Sequence, residues 1–428
     1  MVTDTNRPAV SAMMREFLPT QRQRPWGPTR IFPLLARARV CQDDHPMDKR
    51  VYPLAVKVIE LSGTERPADA VLRVVIRDAG HVGKETAAAL SKTVFGYYRW
   101  RGFLTPGRTM EHQLHESEEL ARRFTEQPSS FSDEDLQRAV PEWVFSEMEV
   151  TTAWLRSLQA EPTLWLRARV GNAARITREL RGAIHSPHEL APEALRYAGP
   201  LDLFKSPAFQ KGLFEIQDIA SQAVGTLCAP RHGDRWWDTC AGEGGKTMHL
   251  CDLMENKGTV WATDRAEWRL KQLRIRARRA QIFNFRVALW DGGTTPPAEG
   301  RCNGILIDAP CSGIGTWQRN PHARWTTSPK DLQELAAIQL SMLNNVVDAL
   351  KPGGRIVYSV CTLSRAETTA VADAFTAAHP DFEPLLVGAG SGAATQRWIW
   401  PQDLGGNGMF IAAWKKKKTA AEAVPSAA

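Results

Sequence analysis

No apolar run in this chain of 428 residues approaches the roughly 20 residues that a helical membrane span needs, so no membrane association is expected. Nowhere do two cysteines stand as CxxC, which removes the usual zinc spacing and leaves no metal site to expect. The cysteines number 7, an odd count scattered along the chain without a secretory leader pattern. That usage argues against a disulfide framework and for a reducing, cytoplasmic setting. There is no internal repeat. The rest is the composition of an ordinary globular protein, with 43% hydrophobic and 24% charged residues. The length calls for two or three domains. The 54 Lys and Arg outnumber the 47 Asp and Glu for a formal charge of +7, a balance that favours a polyanionic partner.

Residues 1–50 carry Arg7, Arg15, Arg22, Arg24, Arg30, Arg37 and Arg39 among several prolines. Asp4, Glu16, Asp43 and Asp44 weaken a transit-peptide reading, so a flexible basic extension is expected. Residues 51–126 read as an all-helical domain in which Leu90, Val94, Phe95 and Tyr98 share one face. Its aromatic run VFGYYRWRGFL is read as core rather than as a stacking platform for bases, and TPG at 105–107 stops the helix. Ser132 and Asp135 stand at capping-box spacing. They open a small α/β domain, residues 133–213, with a strand over 164–170 and a helix over 174–183. Arg175, Arg178 and Arg181 share a side of that helix, and both a solvated face and a phosphate-contacting one are open readings.

Residues 214–418 alternate strand and helix, which implies a parallel sheet with helices on both faces: a Rossmann-like α/β unit. A helix over 331–350, with Leu335, Ile338, Met342 and Val346 in one stripe, is stopped by KPGG before the fifth strand. Residues 419–428 should be disordered.

In this unit DTCAGEGGKT, residues 238–247, places a glycine-rich turn between a strand and a helix, where backbone can approach a ligand and the helix N-terminus can face an anion. Asp264 ends the next strand, suited to ribose hydroxyls, and Asp291 ends the third, suited to the adenine end. Singly each aspartate would pass for a helix cap; in series after the turn they point to a nucleoside cofactor. Two thiols then appear at two strand ends: Cys311 in IDAPCSGIG and Cys361 in RIVYSVCTL. Methylating carbon 5 of cytosine needs a thiolate that adds to carbon 6, an acid near ring nitrogen 3, a group that helps release, and a methyl donor. Cys361, Asp308, Cys311 and the glycine turn match those needs.

These stretches resemble the motifs of the Nol/Nop/Sun family of RNA cytosine-5 methyltransferases. DTCAGEGGKT is similar to its cofactor motif, IDAPCSGIGTWQRNPHARW to its base-binding motif and VYSVCTLSRAE to its nucleophile motif. FEIQDIASQ resembles the lead-in to its catalytic domain and GNGMFIAAWKK its closing strand. The resemblance runs over residues 164–418 in the family's order. The helical region faintly resembles the NusB-like domain attached to some bacterial RNA methyltransferases.

The resemblance implies S-adenosylmethionine as cofactor and RNA as partner, ribosomal RNA ahead of transfer RNA, with the chain acting as a monomer. It makes Cys361 the nucleophile and Cys311 the thiol that assists release, with Asp308 touching base and cofactor. The cofactor pocket is implied at Cys240, Ala241, Gly242, Glu243, Gly244, Gly245 and Lys246, together with Asp264, Asp291 and Asp308; Lys246 also helps position the base. Two residues depart from the family: Glu243, where Ala-Pro is usual before the glycines and a negative charge now approaches the cofactor's carboxylate, and Val360 before the nucleophile. The basic helix with Arg265, Arg269, Lys271, Arg274, Arg276, Arg278 and Arg279 is read either as phosphate-holding or as a solvated face. Two rivals remain: Cys311 as nucleophile, as in DNA cytosine-5 methyltransferases, against which no ENV motif follows it, and a non-catalytic RNA-binding assembly factor that keeps the fold.

Overall fold

The computed structural model describes residues 49–297, 301–388 and 394–418. The expected basic extension, save for its last two residues, and the expected disordered tail lie outside them. Four helices, Val51–Leu61, Ala68–Asp78, Lys84–Trp100 and Met110–Glu126, form the first unit. The aromatic run is core: Phe95, Tyr98, Trp100 and Phe103 are buried, and Trp100, Phe103, Phe124 and Phe131 pack edge to face or tilted.

Ser132 and Asp135 do form a capping box on the short helix Asp133–Gln137. The packing, however, does not break there. Leu136, Val144, Trp154, Leu155 and Leu158 belong to the same hydrophobic core as the four helices, so the boundary set by burial falls near residue 160 instead of 133. That core also takes in Ile314, Trp317, Leu332 and Leu363 from the last unit.

A small antiparallel sheet follows, built from β1 (Leu164–Ala168), β2 (Ala183–His185), β3 (Ala194–Tyr197) and β4 (Phe214–Ile216), in the order β2-β3-β1-β4. Residues 214–216 thus belong to this sheet and not to the catalytic one, because Phe214 pairs with Ala168 and is buried beside Leu166. Of the three arginines expected on a common side, Arg175 is paired with Glu179 at 2.7 Å.

The large sheet comprises the parallel strands β5 (Arg235–Asp238), β6 (Thr259–Asp264), β7 (Phe285–Leu289), β8 (Cys302–Asp308) and β9 (Leu350–Val360). Three antiparallel strands complete it: β10 (Phe382–Pro384), β11 (Gln396–Ile399) and β12 (Met409–Lys416). The order is β10-β12-β9-β8-β5-β6-β7, with β11 on β12. KPGG lies inside β9, which starts at Leu350; the preceding helix ends at Val346. One face is covered by helices Ile219–Cys228, Gly245–Leu253 and Glu267–Arg279, the other by Pro329–Val346 and Thr369–Ala378. Ile338, Met342 and Val346 are buried as their stripe requires. The chain builds outward from β5 through β6 and β7, then returns to lay β8 on the other side of β5. A doubly wound sheet binds its ligand at such a switch point, beyond the carboxyl ends of the strands.

Candidate active site

The carboxyl ends of β5, β8 and β9 bring five side chains together: Asp308, Ser359, Lys246, Cys311 and Cys361. Asp308 ends β8 opposite Ser359 of β9, and the Ser359 hydroxyl donates to Asp308 Oδ1 at 2.9 Å. Lys246, in the first turn of the helix after β5, donates from Nζ to Asp308 Oδ2 at 2.6 Å. Lys246 is buried, which works against its charge, but the Asp308 carboxylate and the field of Cys361 outweigh this and hold its pKa above the ordinary lysine value.

Each cysteine sits just past its strand. Cys311 follows the Ala309-Pro310 step after β8, Cys361 directly follows β9, and their sulfurs lie 3.2 Å apart. Both are free and half-buried. The hydrogen bond with Cys361, then burial, then the charges of Cys361 and Glu367 push the Cys311 thiol well above the ordinary thiol range. The nearby Gly315 has no room for a side chain: a Cβ there would stand 2.2 Å from the Gly408 carbonyl oxygen. In this close approach the Gly315 N–H donates to the Cys361 carbonyl at 3.0 Å and the Gly408 N–H to the Gly315 carbonyl at 2.7 Å.

Sequence reasoning missed Glu367. Its carboxylate is fully buried and accepts from the Ser312 N–H at 2.8 Å, the Thr362 hydroxyl at 3.1 Å, the Ser364 hydroxyl at 2.9 Å and Gln339 Nε2 at 3.1 Å, and also from the Ser312 hydroxyl. Burial raises its pKa against the pull of those donors. Its only signal in the sequence is its place at the end of VYSVCTLSRAE, six residues past Cys361, a spacing that marks no local motif.

On the cofactor side, Cys240 and Ala241 follow β5, and the Ala241 N–H donates to the Thr263 carbonyl at 2.8 Å. Gly242 and Gly244 have φ of 54° and 87°, and a Cβ on Gly244 would lie 2.6 Å from Leu273 Cγ, so the turn requires glycine there. Asp264 at the end of β6 reaches over this turn, accepting from the Gly242 N–H at 3.0 Å and from the Ala266 N–H at 2.8 Å. Burial pushes the thiol of Cys240 up, and the residue packs against the core of the large sheet.

Asp238, beneath the turn, is fully buried; Oδ2 accepts from the Thr247 hydroxyl at 2.7 Å and Oδ1 has no hydrogen-bond partner. Burial lifts its pKa to about 7. Asp291 is exposed and closes a turn of its own by accepting from the Gly293 N–H at 3.1 Å. Gly245 opens the helix that carries Lys246. The charge of Glu243 has a counterion: Arg276 lies 4.0 Å from its carboxylate and donates to its carbonyl at 2.9 Å, while also pairing with Glu215 at 3.0 Å. A close-approach turn, a helix N-terminus behind it and the Asp264 carboxylate beside it fit a nucleoside cofactor with an amino-acid tail.

A parallel sheet with this switch point and an antiparallel strand inserted beside β9 is a Rossmann-like methyltransferase architecture. A family model described as "16S rRNA methyltransferase RsmB/F" matches residues 225–415. A ribosomal RNA small subunit methyltransferase B from Cronobacter sakazakii is 30% identical over 348 residues, covering 77% of this chain and 78% of that protein. A probable ribosomal RNA small subunit methyltransferase B from Synechocystis is 35% identical over 197 residues, which span 45% of this chain and 44% of that protein, less than half of either. The crystal structure of PH0851 superposes with a TM-score of 0.68 at 21% identity over 90% of this chain and 99% of that one, so the shared fold extends into the helical unit. The chain belongs to the RsmB/F, or Nol/Nop/Sun, family of ribosomal RNA methyltransferases.

Proposed function

We propose that this protein transfers a methyl group from S-adenosylmethionine to carbon 5 of a cytosine in ribosomal RNA, through a covalent adduct on Cys361. The observation that carries the reading is the pair of free thiols 3.2 Å apart, beside a Lys246–Asp308 ion pair at 2.6 Å. A target base inside RNA must be turned out of its stack to reach such a site.

Cys361 adds as thiolate to carbon 6, forming a sulfur–carbon bond and moving the ring electrons toward carbon 5. The Lys246 ammonium stands in the field of that sulfur, which helps hold the lysine charged. Asp308, between Lys246 and Ser359, faces ring nitrogen 3, where a proton shared with Lys246 stabilises the charge that develops. S-adenosylmethionine, when bound, supplies an electrophilic methyl group on a sulfonium sulfur. The turn 240–245 with Asp264 and Asp291 would hold it, and Arg276 offsets the charge of Glu243 near its carboxylate. In the resting site Cys311 stays a thiol, because Cys361 raises its pKa. Once Cys361 is bonded to carbon 6, it neither shares a proton with Cys311 nor carries charge, so Cys311 can give its own proton to solvent. As thiolate it takes the carbon 5 proton, the double bond re-forms, and Cys361 leaves as thiolate. The same asymmetry disfavours the rival in which Cys311 is the nucleophile, since the thiolate is the reactive form.

The test is transfer of labelled methyl from S-adenosylmethionine to total RNA of a strain lacking this gene. Label recovered as 5-methylcytidine in small-subunit ribosomal RNA is expected; label in transfer RNA would move the substrate assignment. Cofactor binding without label in any RNA or ribosomal particle would favour an assembly factor.

A further inference from the structure

We infer that Glu367 is a positioning residue that clamps the two thiol-bearing loops together and so sets the distance between Cys311 and Cys361; the inference rests on the reading that both thiols act on one base. Neither loop holds the other through regular structure, since β8 and β9 have ended before the cysteines. Besides the Gly315 N–H donating to the Cys361 carbonyl, what joins them next to the cysteines is one buried carboxylate. On the Cys311 side it takes the N–H and hydroxyl of Ser312, the next residue in the chain. On the Cys361 side it takes the hydroxyl of Thr362, again the next residue, and that of Ser364.

The Ser312 and Thr362 hydroxyls also touch each other at 2.9 Å, so the clamp closes on itself directly behind the sulfurs. The clamp is in turn fixed from outside. Gln339 donates from Nε2 both to Glu367, at 3.1 Å, and to the Pro310 carbonyl, at 2.9 Å. Tyr358 donates to the Glu367 carbonyl at 2.7 Å and lies 2.9 Å from Gln339 Oε1. A carboxylate suits the position because it can accept from all of these donors at once. The network lies behind the sulfurs; its effect reaches the reaction through their positions and, for Cys311, through the Glu367 charge that helps raise its pKa.

The probe is phenylarsine oxide, a trivalent arsenical that forms two arsenic–sulfur bonds with a close pair of thiols and releases water, applied to the full-length protein. Intact mass before and after challenge with a monothiol separates bridged from singly bound arsenic, with Cys361→Ala as the unbridged control. We expect wild type to hold one bridged arsenical and Glu367→Ala to lose it. Glu367→Ala should lower kcat roughly 10- to 100-fold while KM for RNA stays within about twofold, because displacing a reacting group by about 1 Å costs that much. Its protein–RNA adduct should persist, as release depends on Cys311.

Glu367→Gln, which keeps an acceptor toward the N–H donors and an amide toward the hydroxyls, should restore bridging and most of kcat. Should Glu367→Ala fail to fold, Thr362→Val and Ser312→Ala each open one side of the clamp and should weaken bridging. Bridging and kcat unchanged in folded Glu367→Ala, or in both single-sided variants, overturn the inference. So does a Glu367→Gln protein as impaired as Glu367→Ala. Bridging lost in Glu367→Ala, with a wild type that methylates no RNA, would leave the clamp standing and remove the reaction instead.

Discussion

Two sulfurs 3.2 Å apart cannot ionise independently, and the environment decides which of them gives up its proton. Cys311 is pushed upward by Cys361, burial and Glu367, which holds it as a thiol beside Cys361, the proposed nucleophile. Cys361→Ala should therefore abolish methyl transfer while cofactor affinity, measured by calorimetry, stays within about threefold; retained turnover would remove Cys361 from the nucleophile role. Cys311→Ala should form the adduct and fail to resolve it, giving a slow-migrating protein–RNA species on denaturing gels that requires S-adenosylmethionine. A second residue-scale consequence follows from Asp238, whose folded pKa of about 7 lies above its unfolded value near 3.8. Between those values the native state binds more protons than the unfolded one, so its contribution to stability falls as pH rises from about 4 to about 7 and is flat above. The change is on the order of 4 kcal/mol at most for a shift of that size. Denaturant unfolding across this range should show a downward slope that Asp238→Asn flattens; an identical slope in both proteins would place the titration elsewhere.

At the scale of elements, the turn after β5 and the helix Glu267–Arg279 act as one piece. Leu273 of that helix fills the space a side chain on Gly244 would need, and Arg276 spans Glu243 in the turn and Glu215 in β4. Gly244→Ala should lose roughly 1–3 kcal/mol of stability through backbone strain and overpacking, read as a lower melting temperature, and weaken cofactor binding with it. Arg276→Ala should remove the arginine beside Glu243, while Arg279 still pairs with Glu215, and lower S-adenosylmethionine affinity about 3- to 10-fold; Glu243→Ala in that background should recover part of the loss. Additive effects in this cycle would mean that Arg276 does not act through Glu243.

These couplings mark where sequence reading stopped. The alternation of strand and helix, the glycine turn, Asp308 and both cysteines were legible because each is a local pattern within a few residues. Glu367, the Glu215–Arg276–Glu243 chain and the membership of Phe214 in the small sheet were not, because they arise from contacts between segments with no shared period. The boundary expected at residue 133 fails for the same reason: its capping box is real, but a cap ends a helix and not a core.

Across the whole molecule, the segment that begins at Cys311 ends in a lock on the helical unit. Arg324 is fully buried and has no carboxylate among its hydrogen-bond partners; it donates instead to the carbonyls of Arg99 at 3.2 Å, Ala139 at 2.9 Å, Leu158 at 3.2 Å and Trp317 at 3.3 Å. Arg99 and Leu158 lie in the last turns of Lys84–Trp100 and Thr152–Gln159, and Ala139 follows Asp133–Gln137. The carbonyls at a helix C-terminus lack intrahelical partners and carry partial negative charge, so helix ends stand in for a counterion. Around this lock Trp325 donates to the Tyr98 carbonyl at 2.6 Å and Gln318 to that of Ala160 at 3.3 Å. Helical unit and active-site loop are thereby folded against one another. Arg324→Met keeps the volume but leaves those carbonyls unsatisfied in a dry interior, a loss of roughly 3 kcal/mol. Calorimetry should then resolve the helical unit as a separate, earlier transition from the large sheet, and bridging of Cys311 to Cys361 by an arsenical should weaken even though the substitution is remote from both sulfurs. A single transition at the wild-type temperature would show that the apolar contacts of Trp154 and Trp317 hold the units together without the arginine.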